Sequence, residues 1–392
     1  MRIAFFDYVC DPAKPGTTGL SDIVWDIAVR LVELGDEVDI VGPYTVDHMP
    51  SDRVRVHRFP IPPIGYRNIV GHLLIILAGS RYLRRLGPVD IVHVPEYFSA
   101  AVFGLVWRDI PVVFTEPGNI YERIANGNSY DAITTQAYKL AARRAASSSA
   151  LMVATSSEMA TWWERTGVTP DRIKRLPVGI DGSVFRRRPN ARAELHLETQ
   201  DPIVLFAARL SRETGLDIAV RAVAGLRRDG VPLEFHVVGD GPERRAMTRL
   251  AEDLGIGDVT RWHGWVDLRH LPAFYSAADV FVFPGSSGGT PRVLLQAMAC
   301  GAAVVGSAIG GIVDHIKDDE TGLLFPPHGV SELGERIYRV ISEPNLARRL
   351  GEKAALYAHA TVDWDILVPL LRRDVYEPII EAHGDRQRYG ET

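Results

Sequence analysis

Short apolar runs alternate with longer helical patterns along the whole chain. The first half contains six runs of the strand type, RIAFF, EVDIVG, VRVHRF, VDIVHV, PVVFTE and ALMVATS. The first two are separated by apolar residues at helical spacing, namely Ile23, Ile27, Leu31 and Leu34. Gly35, which follows, is a typical helix end. Strands that alternate with helices in this way predict βαβ units, parallel sheets and an α/β fold class.

The second half repeats the pattern after a change in composition near residues 178–192, where Gly, Arg and Pro become frequent. We predict a linker near residues 182–192. Its strand-type runs are PIVLFAARL, LEFHVVG, VTRWHGW, DVFVFP, AAVVGS and TGLLFP. We predict two doubly wound Rossmann-like domains, residues 1–182 and 183–365, followed by a C-terminal helix at 366–392. Open α/β sheets bind ligands at the carboxyl ends of their strands, so the loops of both domains are expected to face a central cleft.

Composition and charge narrow the class of protein. A chain of 392 residues suits two domains, and 24% charged with 46% hydrophobic residues is typical of a globular enzyme. The formal net charge of -5 argues against a general nucleic-acid binder. Cys10 and Cys300 alone indicate neither a disulfide framework nor a zinc cluster, and no signal peptide is evident. We therefore expect a cytoplasmic protein.

Residues 71–87 form the nearest approach to a membrane segment, because apolar residues after His72 precede three arginines. The stretch is too short and too charged to span a bilayer. We favour a helix packed on a sheet with a solvated basic end. An amphipathic helix lying on an anionic membrane surface is the alternative.

The stretch SSGGTPRVLLQAMACG, residues 286–301, follows an apolar strand and opens a helix. Thr290 suits the N-cap and Pro291 the first helical position. The free amides at such a helix start favour anionic or hydroxyl-rich groups, and Gly288 and Gly289 allow a ligand to approach the backbone.

Further along this helix, Arg292 and Gln296 are four residues apart and share one face, from which both could reach a ligand. The residues of another face are expected to pack on the sheet, namely Leu294, Ala297 and Met298. A tight strand-to-helix turn without a ligand is the alternative for the whole stretch.

A second loop, AARLSRETGLD at residues 207–217, also follows a strand. A guanidinium at Arg209 could clamp a phosphate through two hydrogen bonds, with Arg212 as the nearest second cation. The alternative is a surface arginine paired with Glu213.

Other strand ends carry fewer signals. VVGDGPERRAM at residues 237–247 predicts a turn, and the Gly-rich loop at 12–22 lacks the G-x-G-x-x-G spacing of a dinucleotide site. His93 and Glu116 end strands and could contact a substrate, although a satisfied core hydrogen bond is the commoner outcome for such a histidine. Metal, thiol, serine-hydrolase and ATPase motifs do not occur in the sequence.

Taken in order, these loops resemble the retaining GT-B glycosyltransferases of family 4, or group 1, over nearly the whole chain. The quoted stretches that carry the resemblance are RLPVGIDGSVF, ARLSRETGLD, VGDGPERRAM, HGWVDLRHLPAFYSAADVFVFP, GGTPRVLLQAMACGAAVVGSAIGGIVD and TGLLFPP. The resemblance implies transfer of a sugar from a nucleotide-diphosphate sugar to an acceptor hydroxyl, with no metal or cofactor indicated. It also implies that the closing helix crosses back onto the N-terminal domain.

The resemblance assigns roles to individual residues. Arg209 matches the arginine that neutralises the diphosphate, and Glu116 stands where many relatives carry a histidine near the donor sugar. The residues implied for the donor site are Gly16, Gly19, Arg209, Arg212, Gly288, Gly289, Thr290, Pro291, Arg292 and Gln296.

Three positions depart from the family pattern. Thr214 stands where a lysine usually precedes the glycine, and Gly288 and Gln296 stand where two glutamates are usual. The site therefore has one cation fewer for the leaving diphosphate, and ribose contacts are expected to weaken because neutral hydrogen bonds are weaker than charge-assisted ones.

These departures motivate two hypotheses. The first is a retaining glycosyltransferase with an atypical donor site; the alternative is a catalytically impaired relative that acts as a partner or regulator of an active enzyme. A phosphorylase or sugar-nucleotide epimerase on the same fold is a third. The sequence does not identify the nucleotide base, the donor sugar, the acceptor or the oligomeric state. Residues 115–133 are interpreted as an acceptor loop or lid, or as a plain surface loop.

Overall fold

The apolar runs of the sequence form two parallel sheets. The computed structural model describes residues 1–6, 20–42, 53–59, 69–95, 97–107, 109–115, 132–165, 167–286 and 289–389. The strands are β1 Arg2–Phe6, β2 Glu37–Gly42, β3 Arg55–Arg58, β4 Ile91–Val94, β5 Val112–Thr115, β6 Leu151–Ala154, β7 Ile173–Arg175, β8 Ile203–Ala207, β9 Glu234–Val238, β10 Thr260–Gly264, β11 Val280–Phe283, β12 Ala303–Ser307 and β13 Leu323–Phe325.

The helices lie between these strands and after the last one. They are α1 Leu20–Glu33, α2 Ile69–Arg85, α3 Tyr97–Val106, α4 Ala132–Ser148, α5 Ser157–Arg165, α6 Ala191–Glu194, α7 Leu216–Arg228, α8 Arg244–Asp253, α9 Leu271–Ala277, α10 Arg292–Ala299, α11 Ile312–His315, α12 Val330–Ser342, α13 Pro344–Thr361, α14 Trp364–Leu371 and α15 Glu377–Tyr389.

Both sheets have the doubly wound strand order. The first runs β3-β2-β1-β4-β5-β6-β7 and the second β10-β9-β8-β11-β12-β13, with every described pairing parallel. The order reverses between β1 and β4 and between β8 and β11. Ligands of such sheets bind beyond the carboxyl ends of the strands at these reversals. The predicted fold class, α/β with two doubly wound sheets, is confirmed.

Strand β7 was absent from the prediction. It is only three residues long, Ile173 to Arg175, and two of them are basic. No apolar run marks it, because it pairs as an edge strand with β6 and leaves part of its surface to solvent.

The chain divides into unit 1, residues 1–178 with 364–392, and unit 2, residues 179–363. The first division therefore lies before the expected boundary at 182/183, because Ile180 N donates to Val362 O at 2.9 Å within unit 2. The second lies before 365/366, because the Trp364 indole nitrogen donates to Asp26 Oδ2 at 3.0 Å within unit 1.

Each sheet is covered by buried side chains on both faces, which explains why its strands are apolar runs rather than alternating patterns. In unit 1, α2, α3 and α4 contribute to the core on one face, and α1 and α14 to the core on the other. Leu34, placed in the apolar stripe of α1 by its spacing, is 45% exposed because the helix ends at Glu33 and Gly35 turns the chain at φ +90°.

The C-terminal helix belongs to unit 1, as the resemblance implies. A π-helical turn at Arg372–Tyr376 joins α14 to α15, with Glu377 N–H bonded to Arg372 C=O. Arg372 Nε donates to Asp36 Oδ2 at 2.8 Å, which attaches this turn to the residue before β2. The turn also carries Tyr376 into the core of unit 1, where it is fully buried.

Candidate functional site

Three loops meet at the carboxyl edge of the unit 2 sheet. Backbone hydrogen bonds join the loop after β8 to the loop after β9, with Leu210 N to Asp240 O and Glu243 N to Leu210 O, each 3.0 Å. The loop after β11 joins them through Ser286 N, which donates to Glu213 O at 2.9 Å. The loops singled out in the sequence for ligand binding are therefore neighbours at the reversal of strand order.

Glycines allow this close approach. A Cβ on Gly215, which has φ +70°, would lie 2.1 Å from the Pro284 carbonyl oxygen. A Cβ on Gly239, at φ +125°, would lie 2.0 Å from Ala208 O. Side chains at these two positions would force the loops apart, so the glycines determine how the β8 loop is placed.

Arg209 lies two residues after the end of β8, in the loop that follows this strand (the β8 loop). Its side chain is exposed and has no hydrogen bond or ion pair among the residues that the structure describes, so the alternative pairing with Glu213 is not formed. The carbonyl oxygen of Arg209 accepts from Thr214 Oγ1 at 2.9 Å, and Ser211 O lies 2.7 Å from the same hydroxyl. Thr214, at the position where the resemblance implies a lysine, therefore fixes the loop through its hydroxyl.

A cavity of about 330 Å³ opens beside this loop. Arg212, which is exposed and unpaired within the described part of the chain, lines it together with Ser286 and His328. Ser211 also lines it, and its hydroxyl is buried without a hydrogen-bond partner there. The carboxylates of Asp217 and Glu243 border the same space, so it combines a free cation and an unsatisfied hydroxyl with acidic groups.

Helix α10 begins one residue later than its capping pattern predicts. Pro291 is the N-cap, with φ -74° and ψ 114°, and Arg292 is the first helical residue. The Thr290 side chain is directed at Gly311 instead of capping the helix. A Cβ built on Gly311 would lie 2.1 Å from Thr290 Oγ1. A Cβ on Gly289, by contrast, would meet nothing within 4 Å among the described atoms.

The two polar residues of α10 differ in exposure. Arg292 is half-buried and Gln296 is only 3% exposed. Gln296 Oε1 accepts from the Tyr275 hydroxyl at 3.2 Å. Burial raises the pKa of Tyr275 well above its ordinary value, and the thiol of Cys300 adds to the effect, so this hydroxyl stays protonated as a donor. The face expected to pack on the sheet does so, since its members are fully buried, namely Leu294, Ala297 and Met298.

In unit 1, His93 is a buried structural residue. Its Nδ1 lies 2.6 Å from the Tyr376 hydroxyl and its Nε2 lies 2.5 Å from Thr115 Oγ1. Burial lowers the pKa of His93 to about 3, so the imidazole is neutral near neutral pH. Both ring nitrogens are engaged, which matches the core role expected for it and leaves no ring nitrogen for a substrate.

Several predicted site residues lie outside the described residues: Gly16, Gly19, Glu116 and Gly288. The roles assigned to them stay predictions. Across the described ranges, no group of three or more His, Cys, Asp or Glu side chains is arranged to hold a metal ion. No helix in the described part of the chain is long and apolar enough to cross a membrane.

Two contributions to the site were missed in the sequence. Tyr275 is 21 residues from Gln296 and belongs to a different helix, so no local spacing links the two. The role of Thr214 as the residue that fixes the β8 loop was also missed, although a threonine within three residues of a turn is a known signal for such bonding.

Comparison with protein families gives matches to both halves of the chain. Residues 187–357 match the model for glycosyl transferases group 1, and residues 17–184 match that for glycosyltransferase family 4. D-inositol 3-phosphate glycosyltransferase 1 of Catenulispora acidiphila is 30% identical over 413 residues, covering 98% of this chain and 97% of the relative. Alpha-D-kanosaminyltransferase of Streptomyces kanamyceticus is 27% identical over 335 residues, covering 78% and 84%.

Solved structures share the fold. Sucrose-phosphate synthase from Thermosynechococcus elongatus aligns with a TM-score of 0.86 at 24% identity, covering 97% of this chain and 99% of that one. Anabaena HepE in complex with UDP-glucose aligns with a TM-score of 0.77 at 18% identity, covering 96% and 99%. These likenesses confirm the predicted GT-B fold class.

Proposed function

Because the chain belongs to the group 1, family 4 glycosyltransferases, we propose that it transfers a sugar from a nucleoside-diphosphate sugar to an acceptor hydroxyl with retention at the anomeric carbon. The donor binds over the β8, β9 and β11 loops of unit 2. The observation that carries this proposal is Arg209, an exposed cation without an ion pair in the described structure, at the reversal of strand order.

The chemistry assigned to Arg209 is electrostatic. When the glycosidic bond of the donor breaks, negative charge grows on the leaving diphosphate, and a positioned guanidinium stabilises that charge more than it stabilises the ground state. Arg209 has no competing carboxylate partner in the described residues, and Thr214 and Gly215 fix the loop that carries it.

The donor site is atypical in how it obtains its second charge. Thr214 cannot supply a cation, whereas Arg212 lies three residues from Arg209, is unpaired among the described residues and lines a cavity with the unsatisfied Ser211 hydroxyl. We assign to Arg212 the role that the resemblance gives to a lysine at position 214, a second cation for the diphosphate. Gln296 keeps one lone pair of Oε1 for a ribose hydroxyl after accepting from Tyr275.

The alternative is a partner or regulator without activity of its own, and the bonding of Gln296 favours it. One of the hydrogen bonds that Gln296 Oε1 can accept is already formed with the Tyr275 hydroxyl, so fewer are left for a ribose. In this case the chain acts only together with an active enzyme. The cytoplasmic location stays a prediction under either hypothesis.

Nucleotide binding is the first test. A thermal-shift titration with UDP, GDP, ADP and dTDP should show selective stabilisation, by about 2.7 kcal/mol at a hundred times the dissociation constant. Arg209→Ala should abolish the effect, and Arg228→Ala, an exposed arginine at the far end of α7, should not. Stabilisation that survives Arg209→Ala contradicts the assignment of Arg209.

Turnover is tested with the sugar derivatives of whichever nucleotide binds. D-inositol 3-phosphate is the first acceptor to try, because the name of the 30% identical relative contains it. Proton NMR of the product reports whether the anomeric configuration is kept. Binding without transfer to any acceptor, together with copurification of an active glycosyltransferase, would favour the partner hypothesis.

A further inference from the structure

Three neighbouring helices of unit 1 contain no acidic residue, and two of them carry several cations. Helices α2, α3 and α4 all contribute to the core on one face of the sheet, and α3 packs against both others. Their sequences contain no Asp or Glu, although the chain has 49 such residues and a net charge of -5. The cations of α2 and α4 are Arg81, Arg84, Arg85, Lys139, Arg143 and Arg144.

On α2, cations and leucines share one outward stripe. Leu73 and Leu77 are 40% and 46% exposed, and Arg81 and Arg85 continue the same face at intervals of four residues. The stripe is about 18 Å long at the helical rise. Arg81 and Arg85 form no ion pair among the described residues, whereas Arg84 stacks over Trp107 at 5.9 Å.

On α4, the pattern is repeated. Leu140 is 69% exposed, and Arg143 and Arg144 lie one turn further along the same outward face. Both stripes point away from the sheet because the opposite sides of the two helices are buried against it. In the sequence the nearest acidic residues lie outside these helices: Asp90 after α2, Glu96 before α3, Asp109 after α3 and Asp131 before α4.

We infer that this face of unit 1, the outward stripes of α2 and α4, docks on an anionic lipid surface. The cations match the negative headgroups, and the exposed leucines enter the boundary between headgroups and acyl chains. A nucleic acid would also attract the cations, but it offers no apolar layer for the three exposed leucines to enter. This inference does not depend on the proposed transferase activity.

Co-sedimentation of the full chain with vesicles tests it. We expect binding to vesicles of equal parts phosphatidylcholine and phosphatidylglycerol, weakening at high salt, and none to pure phosphatidylcholine. Each arginine near such a surface contributes about fivefold, the equivalent of about 1 kcal/mol. The triple variant Arg81→Gln, Arg85→Gln, Arg143→Gln should therefore bind roughly 100-fold more weakly.

Two controls make the result specific. The matched triple Arg221→Gln, Arg227→Gln, Arg228→Gln removes three cations from α7 in unit 2 and should leave vesicle binding unchanged. Leu73→Ser with Leu77→Ser should also weaken vesicle binding, and circular dichroism shows whether each variant is folded.

Three outcomes overturn the inference. The first is no binding of the wild-type chain to anionic vesicles. The second is equal loss in both arginine triples. The third is that the chain binds duplex DNA as tightly as vesicles and that Leu73→Ser with Leu77→Ser weakens neither interaction. That result would assign the face to nucleic acid.

Discussion

His93 should make the free energy of unfolding fall as the solution is acidified. Burial lowers the pKa of His93 to about 3 in the folded protein, where Tyr376 and Thr115 occupy both ring nitrogens. In the unfolded chain the imidazole titrates at about 6.5. Between these two values the unfolded chain binds a proton that the folded chain does not, so stability present above pH 6.5 is lost as the pH falls towards 3.

The size of the loss follows from the shift. Each pKa unit corresponds to about 1.36 kcal/mol, so acidification from about pH 6.5 to about pH 5 should cost roughly 2 kcal/mol through His93. Carboxylates of ordinary pKa are still ionised in that window and contribute little. In unit 2, burial, with His236 and Arg261 nearby, lowers the pKa of His263 to about 4, so a loss in the same direction is expected there.

Urea denaturation at about pH 7 and about pH 5 measures the effect. The wild-type chain should lose stability on acidification, and His93→Gln should show a smaller loss on the same change, whatever its stability at neutral pH. His270→Gln, at an exposed position, should behave like the wild type. An unfolding free energy of the wild type that does not change over this range would refute the reasoning, as would an unchanged pH dependence in His93→Gln.

Three further substitutions test other parts of the structure. Gly215→Ala places a Cβ 2.1 Å from the Pro284 carbonyl oxygen at φ +70°, and should cost about 1–3 kcal/mol in calorimetric stability and weaken nucleotide binding; unchanged values of both would contradict it. Gln296→Glu adds a charge-assisted bond to ribose and should tighten nucleotide binding about fivefold by calorimetry; weaker binding argues against a ribose contact. Burial alone would raise the pKa of Asp39, but hydrogen bonds from arginines and His57 lower it to about 2. Asp39→Asn should therefore remove about 2 kcal/mol that is present above pH 4 and lost towards pH 2, and equal stability of both proteins at neutral pH would disprove this.

The fold was readable from the sequence because both sheets are buried on both faces. Such strands are continuous apolar runs, and the runs from RIAFF to TGLLFP each contain a strand of the structure. Strand β7 lacked this signal because it is a short, basic edge strand. The domain boundaries were displaced because Ile180 and Trp364 are held by long-range hydrogen bonds that no local composition reveals.

The site was readable only in part. The sequence placed Arg209, Arg212 and the start of α10 at strand ends, since parallel strands bring their carboxyl ends to one edge. It did not show that Tyr275 engages Gln296, because a contact between two helices has no fixed spacing. The cap of α10 was displaced by one residue because Thr290 is used against Gly311 instead.

The bridge between Ile180 and Asp363 has a consequence for biosynthesis. It brings together the two points where the chain passes between the units, so unit 2 is an insertion whose ends are adjacent. On the ribosome, unit 2 is complete when residue 363 emerges, whereas unit 1 awaits Trp364 and the helices after it. We therefore expect unit 2 to fold before unit 1 is complete. Residues 179–363 expressed alone should fold cooperatively. In a chain truncated after Asp363, only unit 2 should be protected from proteolysis.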